Sequence, residues 1–338
     1  GAHTYQFQLP PNPLPGPGTP GAARASMLIC LLASLATGAA LPPRPPLPTR
    51  RLAKGVYLVP GDTGRGSEGR ANAGFVVTRD GVVVIDAQAS PVDAERMLAA
   101  IRLVTPQPIR WVILTHHHPD HHFGTVVFKR LGAGVIAHPD LRTLSAEGGE
   151  DAALADWSRV VGVQNLLGFE YANTPDRPVT TADTLRLGGV TIVVAHPGPA
   201  HTPGDLVVWL PERKVLFAGD LLIEDGVSMM VDGNSRAMLA AMDSLQRLPA
   251  AVVVPGHGRV PAVPAELEDS TRRYVAALRG EMRGAVERGV PMKQALATLP
   301  PPDPERPVSL NSRRRRNAAR VYVEVEREYL GLDATGAP

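Results

Sequence analysis

Four short apolar runs in this chain each lead into a histidine or an aspartate, and that recurrence constrains the fold more than any other feature. WVILT runs into His116, TIVVA into His196 and then His201, KVLFAG into Asp220, and AVVVPG into His257. Runs of this length, rich in Val, Ile and Leu, read as buried strands. Polar residues that follow such strands collect at one sheet edge, where α/β proteins place their sites. The fold therefore has to bring several strand ends together.

The densest of these ends is VILTHHHPDHHFGT, residues 112–125, with five of the chain's ten histidines and one aspartate between positions 116 and 122. Side chains on extended backbone repeat with period two, so His116 and His118 can aim their imidazoles the same way. Asp120 and His121 follow Pro119, where the chain turns toward a second position. Adding His201, Asp220 and His257 gives seven nitrogen and oxygen donors. That is too many for one tetrahedral zinc and suits two ions sharing a carboxylate. The single cysteine, Cys30, lies far from these motifs, so no thiolate contributes and no intrachain disulfide forms.

Around these motifs, β-rich runs alternate with helical patterns. VYLVP, AGFVVT, GVVVIDA, IRWVILT, GVIAH, VTIVVAH, DLVVWL, KVLFAG and AVVVPG read as strands, with a hairpin turn at Asp80-Gly81. Ser90, Pro91 and Asp93 read as the cap and first turn of a helix through SPVDAERMLAAIRLV, and residues 235–248 as another helix. Residues 151–178 show too little periodicity to assign. From Pro264 the pattern is helical. The hydrophobic fraction of 44% allows a sizeable core, and a net charge of +2 gives no reason to expect nucleic acid as a partner. The RRRR run at 313–316 reads as a solvated helix face balanced by Glu324, Glu326 and Glu328.

The pattern T-H-x-H-x-D-H at 115–121, G-P-x-H-T-P-G-D at 198–205, Gly219-Asp220 and Gly256-His257-Gly258 resembles that of the metallo-β-lactamase superfamily in order and spacing. The resemblance spans about residues 56–260. It implies an α/β fold, a four-layer αβ/βα sandwich with the metals at one edge, here followed by a helical C-terminal section. Carried over position by position, it implies that His116, His118 and His201 hold a first zinc and that Asp120, His121 and His257 hold a second. Asp220 would bridge the two, and Asp120 would also orient the nucleophile or relay its proton. Asp86, ending VVVIDA, resembles the aspartate that supports the metal loop, and Asp205 is expected to fix the loop after His201. His196 competes with His201, but only His201 stands in the HTPGD context. His117 and His122 are expected to be neighbours without a role, and His3 and His138 incidental.

The expected function is an exported dinuclear zinc hydrolase in which a metal-bound hydroxide cleaves an ester, thioester, lactone or lactam carbonyl of a small-molecule substrate. The alternatives are a β-lactamase proper, a persulfide dioxygenase with one Fe2+, or an accessory protein of a periplasmic quinoprotein redox system. Leu221, Leu222 and Ile223 follow the Gly-Asp motif, and then Glu224 and Asp225, which would repel an antibiotic's carboxylate. Residues 264–338 show no match to the glutathione-binding residues of glyoxalase II. Residues 1–49 read as a Pro-rich start, an export signal at about 24–40 and an extended linker over 41–50; the catalytic domain is expected over 50–263 and a helical section over 264–338. The apolar run after Arg24 is shorter than a membrane span, so a periplasmic or secreted protein without a stable span is expected. Residues 62–70, DTGRGSEGR, read as a loop at the mouth of the site. No feature assigns an oligomeric state.

Overall fold

β-branched runs with apolar residues on both faces require cover on both sides, and the chain supplies it with a second sheet on one face and helices on the other. The computed structural model describes residues 44–62, 70–141, 149–171, 174–224, 229–299 and 308–332, without the side chains of 149–153, 267–269 and 308–312. The first sheet contains β1 (Arg50–Ala53), β2 (Val56–Val59), β3 (Ala73–Thr78), β4 (Gly81–Ile85), β5 (Ile109–Ile113), β6 (Gly134–Ala137) and β7 (Arg177–Pro178) in sequential order. Its first four strands are antiparallel neighbours, and β4 to β7 pair in parallel. The second sheet holds β8 (Ala182–Leu187), β9 (Val190–Ala195), β10 (Val207–Leu210), β11 (Val215–Phe217) and β12 (Val252–Val254). Only its β11–β12 pair is parallel.

The period-two alternation sorts side chains into three apolar layers. Val83 and Ile85 of β4, with Ile113, meet Ile192, Val208, Leu210 and Phe217 of the other sheet. Val82 and Val84 point the other way, against α1 (Pro91–Val104) through Ala94, Met97 and Ile101, and against Phe128 of α2–α3 (Pro119–His122 and Thr125–Lys129). On the far side, Val207 and Trp209 of β10 pack under α5 (Ser235–Leu245), α6 (Pro264–Glu287), α7 (Met292–Ala297) and α8 (Val308–Tyr329). The order helix, sheet, sheet, helix is the expected four-layer sandwich. The remaining helix, α4 (Gly149–Val161), forms in the stretch the sequence left unassigned.

Local chemistry explains most boundaries. Ser90 Oγ accepts from Asp93 N and donates back to the Asp93 carboxylate, capping α1 with Pro91 at its first position. The β3–β4 turn is centred on Arg79-Asp80, one residue earlier than expected, because Gly81 already pairs with Thr78. α5 ends at Leu245 rather than at residue 248. Strands β1 and β8 are not among those the sequence announces; ADTLRL has only Leu185 and Leu187 as large apolar residues and carries no β-branched run.

Two expectations change on packing. Part of the stretch read as a linker is fastened to α1: Leu47 is buried, its N–H donates to Arg96 O, and Arg96 Nε donates to Pro45 O. The RRRR run is a solvated face only in part: Arg315 and Arg316 are exposed, while Arg313 is buried where α8 packs on its neighbours. Its glutamates serve other partners: Glu324 accepts from Ser235, and Glu328 pairs with Arg279 and Arg283 of α6. Of the loop read at residues 62–70, Asp62 and Arg70 close the neck with a 2.8 Å ion pair. Residues 63–69 lie outside the described residues, as do His3, Cys30, Asp225 and the export signal.

Leu210 is fully buried between the sheets. Leu210→Ala is expected to lower unfolding free energy by about 2–5 kcal/mol in urea titration, with little change in the slope against denaturant.

Candidate metal centre

The edge on which the strand ends converge is built first from backbone. Asp86 N donates to Ile113 O and Ala87 N to His121 O, so the end of β4 carries the loop that follows β5. Leu206 N donates to Thr115 O at 2.6 Å and joins that loop to the segment before β10 in the other sheet. Asp86 and Gln88 adopt left-handed backbone at φ 58 and 72, turning the chain sharply off β4.

That turn places the Asp86 carboxylate beneath the histidines. Oδ1 accepts from Thr115 N at 2.8 Å, and Oδ2 accepts from Thr115 Oγ1 at 2.9 Å and lies 2.7 Å from His121 Nδ1. With its proton given to Asp86, Thr115 Oγ1 is left as acceptor for His116 Nδ1, 3.0 Å away. The two contacts hold Nδ1 of each ring, so Nε2 of His116 and of His121 is directed inward.

His116 Nε2 and His201 Nε2 lie 3.1 and 3.0 Å from His118 Nδ1. Nitrogens bound about 2.0–2.1 Å from one tetrahedral ion stand roughly 3.3 Å apart, close to both of these separations. Asp220, on the helical turn Gly219–Leu221 after β11, extends Oδ2 to 3.5 Å from His201 Nε2. Its other oxygen, Oδ1, lies 3.2 Å from His121 Nε2 and 3.5 Å from His257 Nε2. Asp120 Oδ2 is 2.9 Å from His257 Nε2 and 3.7 Å from His121 Nε2. The seven residues thus form two groups able to hold a metal ion, His116, His118, His201 and Asp220 in one and Asp120, His121 and His257 in the other.

All seven are buried. Burial and the neighbouring imidazoles hold His116 well below the usual histidine range, and burial takes His201 down to about 3, so both present lone pairs at neutral pH. Burial also pushes His121 down, yet the carboxylates of Asp86, Asp120 and Asp220 outweigh it and raise this group well above its ordinary value. For Asp220 and Asp120 burial acts upward, and the surrounding histidines reverse it and keep both low. Nε2 of His121 and of His257 make no well-aligned hydrogen bond although buried. Unsatisfied groups of this kind cost about 1–3 kcal/mol each, which a coordinated cation would remove. The donor set fits metal.

Gly256 shows how tightly the edge is packed, because a Cβ there would stand 1.8 Å from Asp220 Oδ1. Asn72 holds the following loop, donating through Nδ2 to Pro255 O and Gly258 O at 2.9 Å. Asp205 accepts from His201 N, Thr202 N and Thr202 Oγ1, and burial raises its carboxyl to about 6. His196 is not in either group; Nδ1 lies 2.7 Å from Asp205 O and the ring packs on His138. His122 faces His118 O through Nδ1, and burial takes it to about 4.

Two findings differ from the sequence reading. Glu224 is not a free negative charge beside the site, since it receives Arg259 N and pairs with Arg259 Nη2 at 2.8 Å. Asp232 was missed: its Oδ2 lies 3.0 Å from His118 Nε2 and 3.8 Å from His117 Nε2. It is thereby placed against the nitrogen of His118 that faces away from the triangle, and His117 is less of a bystander than expected. No local signal marks Asp232, which meets His118 across 114 residues of sequence. Thr115 could have been read, because it sits inside the motif.

Comparison with known proteins agrees with this geometry. A hydroxyacylglutathione hydrolase of Rhodobacter capsulatus is 26% identical over 270 residues, covering 77% of this chain and 85% of that one. A metallo-beta-lactamase type 2 of Pseudomonas aeruginosa is 27% identical over 62% of this chain and 76% of its own length. The solved metallo-beta-lactamase from Pontibacter korlensis superposes with a TM-score of 0.55 at 27% identity, over 68% of this chain and 99% of that one. The family model described as the metallo-beta-lactamase superfamily matches residues 66–257, a span that runs from before β3 to His257 and takes in all seven donors. With the four-layer sandwich and the clustered donors at its edge, that match makes this chain a member of the metallo-beta-lactamase superfamily.

Proposed function

We propose that this metallo-hydrolase holds two zinc ions and hydrolyses a small-molecule thioester or ester, water breaking the acyl C–S or C–O bond to give a carboxylic acid and a thiol or alcohol. The observation that carries the reading is Asp220, whose two carboxylate oxygens face different donor groups. His116, His118 and His201 would hold the first ion, and Asp120, His121 and His257 the second. Ions bound there would supply a water of lowered pKa and polarisation of the substrate carbonyl. The chain's own part is to fix the donors and keep the site dry. Asp120 offers a carboxylate to orient the attacking water and take its proton. Asp86 sets the His121 tautomer, and Asp205 holds the backbone at His201.

A thioester ranks first because the hydroxyacylglutathione hydrolase covers the larger share of this chain. β-Lactam cleavage is the second reading, and the pairing of Glu224 with Arg259 removes one objection to it. Residues 24–40 support export, and among the described residues no helix is long and apolar enough to cross a membrane.

Metal analysis of protein purified without added metal is expected to return two zincs per chain. One iron per chain would replace the proposal with the dioxygenase alternative. The zinc-loaded protein is then offered a glutathione thioester, a lactone and nitrocefin, and the thioester is expected to turn over fastest. Turnover of none would overturn the hydrolytic reading. His118→Ala is expected to halve the zinc content, and retention of both ions would contradict the assigned ligands. Asp86→Ala is expected to weaken zinc binding roughly 10–100-fold in chelator competition, the range for losing a partner of a ligating histidine.

A further inference from the structure

The short segment at residues 230–235 reaches the first donor group from the side opposite the loop of 116–122. Asp232 touches His118 Nε2, and Asn234 N donates at 2.7 Å to the carbonyl of Ala200, the residue before His201. The fit against His201 is close, since a Cβ on Gly233 would lie 2.5 Å from Ala200 O and 2.9 Å from His201 O. Two of the three histidines of the first group are therefore braced by one stretch of six residues.

That stretch is itself gripped by α8. Asn317 Oδ1 accepts from Met230 N at 2.9 Å. Arg320 donates to Gly233 O through both Nε and Nη2, at 3.1 and 2.9 Å. Glu324 Oε2 accepts from Ser235 N at 2.8 Å and from Ser235 Oγ. The three residues recur at helix spacing on one face of α8, and α6 adds a contact from Arg279 Nη1 to Ser235 Oγ at 2.9 Å. α8 also packs by a separate, apolar face, with Ala318, Val321, Tyr322 and Val325 buried in the core. Four side-chain atoms of α8, Asn317 Oδ1, Arg320 Nε and Nη2 and Glu324 Oε2, are instead spent on the backbone of 230–235.

We propose that Asn317, Arg320 and Glu324 are positioning residues for the metal centre: α8 sets the segment 230–235, which sets the Asp232–His118 contact and the backbone at His201. The inference rests on the reading of His116, His118 and His201 as ligands. A C-terminal helix more than a hundred residues beyond His201 in sequence would thereby tune the affinity of the first ion.

The test uses the full chain loaded with cobalt(II), reading the visible absorption spectrum and the affinity by chelator competition. Arg320→Ala is expected to shift the spectrum and weaken the affected ion about tenfold, the low end for indirect support of a ligand. Arg320→Lys, which can still donate to Gly233 O, is expected to recover part of the loss. Val321→Ala loosens the same helix through its apolar face and is expected to lower the thermal midpoint with cobalt affinity unchanged. Should Arg320→Ala fail to fold, Glu324→Gln keeps the shape and is expected to weaken cobalt in the same direction. An Arg320→Ala protein with wild-type spectrum and affinity would overturn the proposal, as would equal cobalt losses in Arg320→Ala and Val321→Ala. Wild-type protein taking up one cobalt would defeat the two-ion reading alone, and the affinity of that ion would still decide this one; uptake of none would defeat both.

Discussion

Val83, Ile85 and Ile113 of one sheet bury against Ile192, Val208 and Leu210 of the other, and the position of every donor follows from that apolar contact. His116, His118, Asp120 and His121 belong to the first sheet's loops; His201, Asp220 and His257 belong to the second's. Neither sheet holds a complete site. The strand ends meet only because both sheets are pressed face to face, and the Leu206–Thr115 hydrogen bond pins the seam next to the histidines. Non-directional burial sets the distance between the halves, and directional bonds then set their aim.

The polar side of the seam is energetically demanding. Buried imidazoles and carboxylates face one another with few hydrogen bonds among them, and each lost water contact has to be offset. Nearby groups make that possible at the backs of the rings. Asp86 serves His121 and, through Thr115, His116; Asp232 serves His118; Asp205 holds the chain at His201. For His116, His118 and His121 the nitrogen turned away from the site is held by such a partner, which aims the other nitrogen inward. The helical section takes part in this indirectly, through the hydrogen bonds of α8 to the segment that carries Asp232.

How much of this could be read beforehand follows from the range of the interactions. Strands such as GVVVI and VTIVVA announce themselves through local composition, and the histidine motifs through fixed spacing after a strand end. β8 has no such run and forms because β9 offers it six paired residues. Arg313 and Glu324 look like surface charges in sequence, and only the packing of α8 shows them to be buried. Asp232 is similar, a plain loop aspartate until the fold lays it against His118. Contacts made across a hundred residues leave no trace in a local pattern.

The close fit at Gly256 and the distribution of donors along the chain have a consequence for the order of assembly. Residues of the first sheet are made early, yet their partners arrive at 201, 220 and finally 257, with the α8 contacts later still. A nascent chain leaving the ribosome therefore carries an incomplete site until residue 257 has been made. Long-range pairings of this kind close late, after the intervening loops have been ordered. Until then the histidines of residues 116–122 lack the partners that only the second sheet brings, so the edge takes its final form after the last strand has docked.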